Sequence, residues 1–192
     1  EYDETPPDEW SEGPVAFKPV PVFDISQTEG EPLPELDTDA RGDATEHFPA
    51  VFAAADELDV QAEITDADEW THGAANGICQ TTDPETTQPI AEIQVKDREN
   101  TAAVTAVLVH EYAHALLHSG VTNTPEREKR EVESEAVAYV VGRYFGLDMS
   151  GSALYLAAWE SDEPDTILER LDRISTTATE IIEAIDQPQS IE

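Results

Sequence analysis

The stretch "VLVHEYAHALLHSG", from Val107 to Gly120, constrains the fold of this chain more tightly than any other. It places three of the five histidines at His110, His114 and His118, with Glu111 directly after the first. It follows the apolar run "AAVTAVLV", so the pattern predicts a helix over roughly 99–119, with Gly120 as its left-handed stop. Residues i and i+4 stand one turn apart on one helical face, so the imidazoles of His110 and His114 can converge on one ion. Glu111 lies about 100° further round. From there it can reach a water on that ion without binding the ion itself. This is the logic of H-E-x-x-H: zinc lowers the pKa of the water towards ~7 and the glutamate takes the proton. Five histidines in 192 residues yield about 0.02 such matches by chance, so the pattern carries weight. The bland alternative, a metal-free His-rich helix, leaves Glu111 beside two imidazoles in apolar surroundings at a desolvation cost. His118 continues the row, but each four-residue step drifts about 40°. It cannot share the ion and is expected near the helix end, either at the surface or as a residue behind the metal ligands.

Two histidines do not complete a catalytic zinc site, which takes three protein ligands and leaves one position to water. No histidine follows His118, so the third ligand must be a carboxylate, expected on the next helix. "REVESEAVAYVVG" (130–142) offers Glu131, Glu133 and Glu135. Glu131, Glu135, Ala138 and Gly142 share one face by i, i+4, i+7, i+11 spacing. Beyond the acids that face is small, which lets a second helix approach. Glu133 points elsewhere and is expected on a solvated face with Glu126 and Glu128. The residues leave the choice between Glu131 and Glu135 open. The order Glu131-x-x-Ser134-Glu135 resembles the Glu-x-x-x-Asp pattern of thermolysin-like gluzincins. That resemblance implies Glu131 as ligand and Glu135 as the acid that orients a ligating histidine, with the reverse as the alternative. Tyr139, one turn beyond Glu135, is a candidate oxyanion donor, with a core position as its alternative.

Charge narrows the partners. The net charge is −33, from 43 acidic and 10 basic residues, and only three of the latter are Lys. Such self-repulsion opposes compaction, but molar salt shortens the Debye length to ~3 Å and removes much of it. Acids spread along the whole chain therefore point to a cytoplasmic protein of a halophile. With no basic stripe, direct nucleic-acid binding is not expected. No apolar run approaches ~18 residues, so no membrane span is expected, and no signal peptide is visible. The single Cys79 excludes an internal disulfide. The competing reading of the charge is an acidic DNA mimic, a non-catalytic antirestriction module with a structural zinc.

The rest of the chain sets the frame. Residues 1–13 read as an acidic linker and 187–192 as a tail, around one domain over 14–186. The start at Glu1 rather than Met suggests a processed product or a piece of a longer protein. "PVAFKPVPVFDIS" (14–26) suits an extended edge segment, and "ATEHFPAVFAAADEL" (44–58) a helix that Pro49 starts or kinks. "DVQAEITDA" alternates as a half-buried strand. "GICQT" and "PIAEIQV" flank Asp83-Pro84 and predict a hairpin within 74–95. A helix opening at Thr124-Pro125 should stop at Gly146, and "SALYLAAW" should form a short one. The stripe Ile167, Leu168, Leu171, Ile174, Ala178, Ile181, Ile182 and Ile185 predicts a core-facing last helix over about 163–186. The fold class expected is α+β, with a small, mainly antiparallel sheet on the H-E-x-x-H helix and a second ligand-bearing helix.

"HEYAHALLH", "REVESEAVAYVVGRYFGLD" and "YLAAW", together with "PVPVFDISQTEGEPLPEL", resemble the metallopeptidase domain of ArdC-like antirestriction proteins, related to the ImmA/IrrE group of zincin-like peptidases. The likeness spans roughly residues 14–186. "HGAANGICQTTDPETTQPIAEIQV" resembles that family's glycine-led hairpin, with Ile78-Cys79 in place of its aromatic pair. The resemblance implies a zincin-like fold holding one Zn²⁺ between two helices, and a protein or peptide substrate. It also implies carriage on a mobile element, and a single-stranded-DNA-binding domain that precedes the peptidase in the full-length protein and is missing here. A regulatory peptidase that cleaves one repressor, as ImmA-like enzymes do, shares the same site.

Overall fold

Residue 60 opens the first of three strands whose order differs from their order in sequence. β1 (Val60–Thr65), β2 (Gly77–Thr81) and β3 (Ala91–Lys96) form one sheet in the order β1-β3-β2. The computed structural model describes residues 38–81, 89–119, 127–153, 156 and 164–187, all within a unit that runs from Leu36 to Glu192. The expected edge segment at 14–26, the Asp83-Pro84 turn, Gly120 and Thr124-Pro125 lie outside the described residues.

β3 takes the centre because its alternation is the cleanest: Ala91, Ile93 and Val95 are buried, while Glu92 is exposed. β2 pairs with it antiparallel, Gly77 opposite Val95 and Thr81 opposite Ala91, as a hairpin requires. β1 pairs with β3 in parallel, Val60 opposite Ala91 through Thr65 opposite Lys96. The sheet is therefore mixed, not mainly antiparallel. β2 takes the far side of β3, which leaves the near side to β1, running the same way as β3.

Four helices cover the sheet and one another. α1 (Phe48–Glu57) starts where Pro49 falls in the first turn, four residues later than the periodicity alone suggests. α2 (Thr101–His118) carries the histidines. Its N-cap is Asn100, whose side chain accepts a hydrogen bond from the Ala103 N–H at 3.1 Å. α3 (Arg127–Tyr144) ends as predicted at Gly146, whose φ of 78° is left-handed. The Gly146 N–H donates to Arg143 and the Leu147 N–H to Gly142, the paired bonds of a Schellman motif. Residues 150–153 are helical, the described part of the short helix expected there. α4 (Pro164–Asp186) closes the core.

The main core joins Val51 and Ala54 of α1, Ile93 and Val95, Leu108 and Tyr112 of α2, Val137 and Val141 of α3, and Ile174, Ala178, Ile181 and Ile185 of α4. Leu171 departs from the expected stripe: it is 47% exposed. Within α2, Tyr112 is fully buried and its hydroxyl donates to the Val51 carbonyl at 3.0 Å. The residue after Glu111 thus fixes the rotation of α2 against α1, and with it the direction in which His110 and His114 point. Among the described residues no helix is long and apolar enough to cross a membrane.

Candidate metal centre

α2 and α3 pack side by side and turn the predicted side chains towards each other. His110 Nε2 and His114 Nε2 lie 3.1 Å apart. Glu131 Oε2 stands 3.6 Å from the first and 3.5 Å from the second. A tetrahedral ion with bonds of ~2.1 Å has ligand-to-ligand edges of about 3.4 Å. The triangle of two imidazole nitrogens and one carboxylate oxygen matches that edge on all three sides. The donor set, two nitrogens and one oxygen, suits Zn²⁺ and leaves a fourth position. His110, His114 and Glu131 are also the group of possible ligands found within mutual reach among the described residues.

Glu135 takes the other nitrogen of His110, with Nδ1 and Oε2 3.0 Å apart. With Nδ1–H donating to this carboxylate, Nε2 is the nitrogen left to bind an ion, on the side of Glu131 and His114. Of the two assignments open in the sequence, the geometry favours Glu131 as ligand and Glu135 as the acid that orients His110. Burial pulls the His110 pKa down, but the carboxylates of Glu131 and Glu135 outweigh it and push it up to about 10. Hydrogen bonding to His110 and His114 holds Glu131 well below the usual carboxylate range. Burial opposes ionisation of Glu135, yet the bond to His110 keeps it below its ordinary value. The cluster is thus a negative field that holds positive charge at the imidazole nitrogens, and a divalent cation would satisfy the same field.

Glu111 is 7% exposed. Burial raises its pKa, partly offset by the two imidazoles, which moves it towards the range of a working base. Its neighbour across the cleft is the first residue of β2. A Cβ added at Gly77 would lie 2.6 Å from Glu111 Oε1 and 2.6 Å from Val107 Cγ1. Only glycine lets the strand lie this close to the acid. Cys79, two residues on, is half-buried in the same cavity, and burial together with the Glu111 charge pushes its thiol up to about 12. It is a neutral wall residue.

The cavity holds about 730 Å³ and runs along α2 from Ala103 to His118, with β2 as its opposite wall. Four sequence expectations are corrected here. Tyr139 does not line this cavity; it packs against the small cluster of Leu147 and Met149, which takes it away from any oxyanion. Gly142 does not receive α2, because the Met149 side chain fills the space above it. Most plainly, Glu133 is not solvated and His118 is not at the surface. Glu133 is 1% exposed, with Arg170 Nη1 at 3.0 Å and Arg173 Nη1 at 3.2 Å. His118 is 7% exposed and its Nε2 is 3.7 Å from Glu133 Oε2. Desolvation lowers the His118 pKa to about 4, so the ring is neutral. The reason for both is α4, which lies over the end of α2 and brings two arginines.

Comparison with known proteins adds one likeness. An uncharacterised protein of Bacillus anthracis is 31% identical over 103 residues, covering 50% of this chain and 17% of that protein. The chain therefore matches only a small part of that relative's length. No family model matches the sequence, and no solved structure matches it.

Proposed function

We propose that this chain is a zinc-dependent metallopeptidase domain, and that the ArdC-like resemblance of its motifs reflects common descent. One observation carries the reading. Three donor atoms, separated by 3.1, 3.5 and 3.6 Å, converge beside a buried glutamate at the wall of a cavity.

His110, His114 and Glu131 would hold the ion. Bound there, Zn²⁺ supplies Lewis acidity, polarising a peptide carbonyl and making water acidic near neutral pH. The remaining work falls to the chain. Glu135 keeps the His110 proton on Nδ1. The Glu111 carboxylate takes the proton of the attacking water and returns it to the departing amide nitrogen as the C–N bond breaks. Among the described residues β2 is an edge strand on the cavity, paired with β3 alone. Its free edge can take an extended substrate by main-chain hydrogen bonds, which brings the scissile carbonyl alongside Glu111. The high acidic charge fits a cytoplasmic protein working in concentrated salt.

The test is metal analysis of the chain purified in molar salt, with cleavage of an unstructured protein such as casein. About one zinc per chain, loss of cleavage with a chelator and its return with zinc are expected. Glu111→Gln should keep the zinc and lose about 10²–10⁴-fold in turnover. A folded chain without zinc affinity overturns the proposal, and a Glu111→Gln variant of normal turnover overturns the assignment of the base.

A further inference from the structure

One wall of the cavity is a short strap of chain, Thr38, Asp39 and Ala40. The connection between β3 and α2 holds it in place. Arg98 Nη1 donates to Asp39 Oδ2 at 2.9 Å and to Oδ1 at 3.1 Å, and Nη2 donates to Oδ1 at 3.2 Å. Asn100 Nδ2 donates to the Ala40 carbonyl at 3.0 Å. The oxygen of the same amide accepts from the Ala103 N–H and caps α2. Beyond the strap, Arg41 and Asp148 exchange both backbone hydrogen bonds, at 3.0 and 2.8 Å. A Cβ added at Gly151 would lie 2.6 Å from the carbon and the oxygen of the Thr38 carbonyl. The strap therefore rests backbone to backbone on the short helix at 150–153, a closeness that only glycine permits.

These bonds place the wall relative to the chemistry. Connecting segments are ordinarily the mobile parts of a fold, but this one takes its position from the residue that starts α2. Ala103, whose N–H Asn100 caps, lines the cavity as well. The wall thus stands at the level of the first turn of α2. His110 lies seven positions further on, about 10 Å along the helix axis. One residue of extended chain advances about 3.4 Å. A peptide with its scissile bond at the triad, running along α2 towards Ala103, therefore meets the strap with about its third residue.

We propose that the strap is a binding wall for an extended peptide about three residues from the scissile bond, and that Asn100 and Arg98 are the residues that position it. The proposal deepens the peptidase reading and rests on it for the position of the bond. It makes the substrate a chain that continues at least three residues past the bond on that side, rather than a dipeptide. Asn100 allows its two roles to be separated. Asp is as good an N-cap as Asn, so Asn100→Asp keeps the acceptor for the Ala103 N–H. It replaces the amide donor by a second oxygen, which repels the Ala40 carbonyl and displaces the strap.

The test measures binding separately from cleavage. The whole chain with Glu111→Gln, loaded with zinc in molar salt, is titrated with alanine peptides of one to five residues that carry a hydroxamate. The hydroxamate grips the zinc and fixes the register. Placed at one end or the other, it sends the peptide away from the metal in either direction. In one of the two series, affinity should rise about three- to tenfold on adding the third or fourth residue. In the Asn100→Asp background that step should shrink to about twofold or less, with zinc content and binding of the one-residue member unchanged. Arg98→Gln should shrink the same step, and it serves if Asn100→Asp fails to fold. The step in the parent chain stands even if both variants fail. A step missing from both series overturns the proposal, as does one that survives both variants. Equal weakening of all lengths, or loss of zinc in Asn100→Asp, also overturns it, since the strap then serves folding and not binding. Zinc uptake and casein cleavage by the wild-type chain, without the step, overturn this proposal alone. A chain that takes no zinc overturns the peptidase reading and this proposal with it.

Discussion

Two polar clusters sit on the same pair of helices, one turn apart, and they are built on opposite principles. Around His110 and His114 three carboxylates, Glu111, Glu131 and Glu135, meet two imidazoles, and Arg127 stands 4.0 Å from the outer oxygen of Glu131. Around His118 one carboxylate, Glu133, meets two guanidiniums and a neutral ring. The first cluster is short of positive charge and is completed by something from outside. The second pairs its carboxylate with arginines of the chain itself. Burial alone does not distinguish a binding site from a structural tie, since Glu133 is more deeply buried than Glu131 or Glu135. Net local charge does.

The comparison breaks first at Glu133. Glu133→Ala should cost about 3 kcal/mol of stability, the low end for a broken buried pair because the half-exposed Arg173 can turn to water. Zinc per folded molecule should stay unchanged. Chemical denaturation with metal analysis checks both, and loss of zinc at full stability would merge the two clusters. Next comes Glu135→Gln, which removes the carboxylate on His110 Nδ1 and should weaken zinc binding about 10–100-fold with little change in stability. Competition against a chelating dye measures it. The smallest effect is one of pH. In the metal-free protein the His110 pKa is raised from 6.5 to about 10, so the folded state holds that proton more tightly than the unfolded one. That stabilisation is complete below pH 6.5 and is lost as pH rises to about 10. Melting temperatures across this window should fall with a chelator present and fall less with zinc, which replaces the proton. Equal slopes would mean that the ion does not sit on His110.

The metal cluster was legible in the sequence because it is made of short-range periodicity. Two His at i and i+4, and two Glu at i and i+4 on the next helix, announce their faces without knowledge of the tertiary fold. The helices, the β2–β3 pairing and the Gly146 stop rest on equally local signals. The second cluster was not legible. In a chain with 43 acids a solvated face is the expectation for any helical Glu, and the arginines that bury Glu133 lie 37 and 40 positions further along the chain. Tyr139 packs in the way its core alternative foresaw, since the fold returns Leu147 and Met149 onto its side of α3. The parallel β1–β3 pairing was hidden because strand order is a property of the sheet, not of any strand. Gly77 carried a local signal in the glycine that opens the hairpin, but its partner, Glu111, became visible only when strand and helix were brought together.

Under the peptidase proposal, that contact makes strand alignment a condition of catalysis. Side chains alternate along β2, so a slip of one residue against β3 would bring a side-chain-bearing neighbour, Asn76 or Ile78, to the place where there is room for none, against the acid that must move the proton. On that proposal a misaligned molecule would be inert, and the glycine acts as an inspection point: activity would report on the pairing of β2 with β3, and only chains folded in the correct register would turn over substrate.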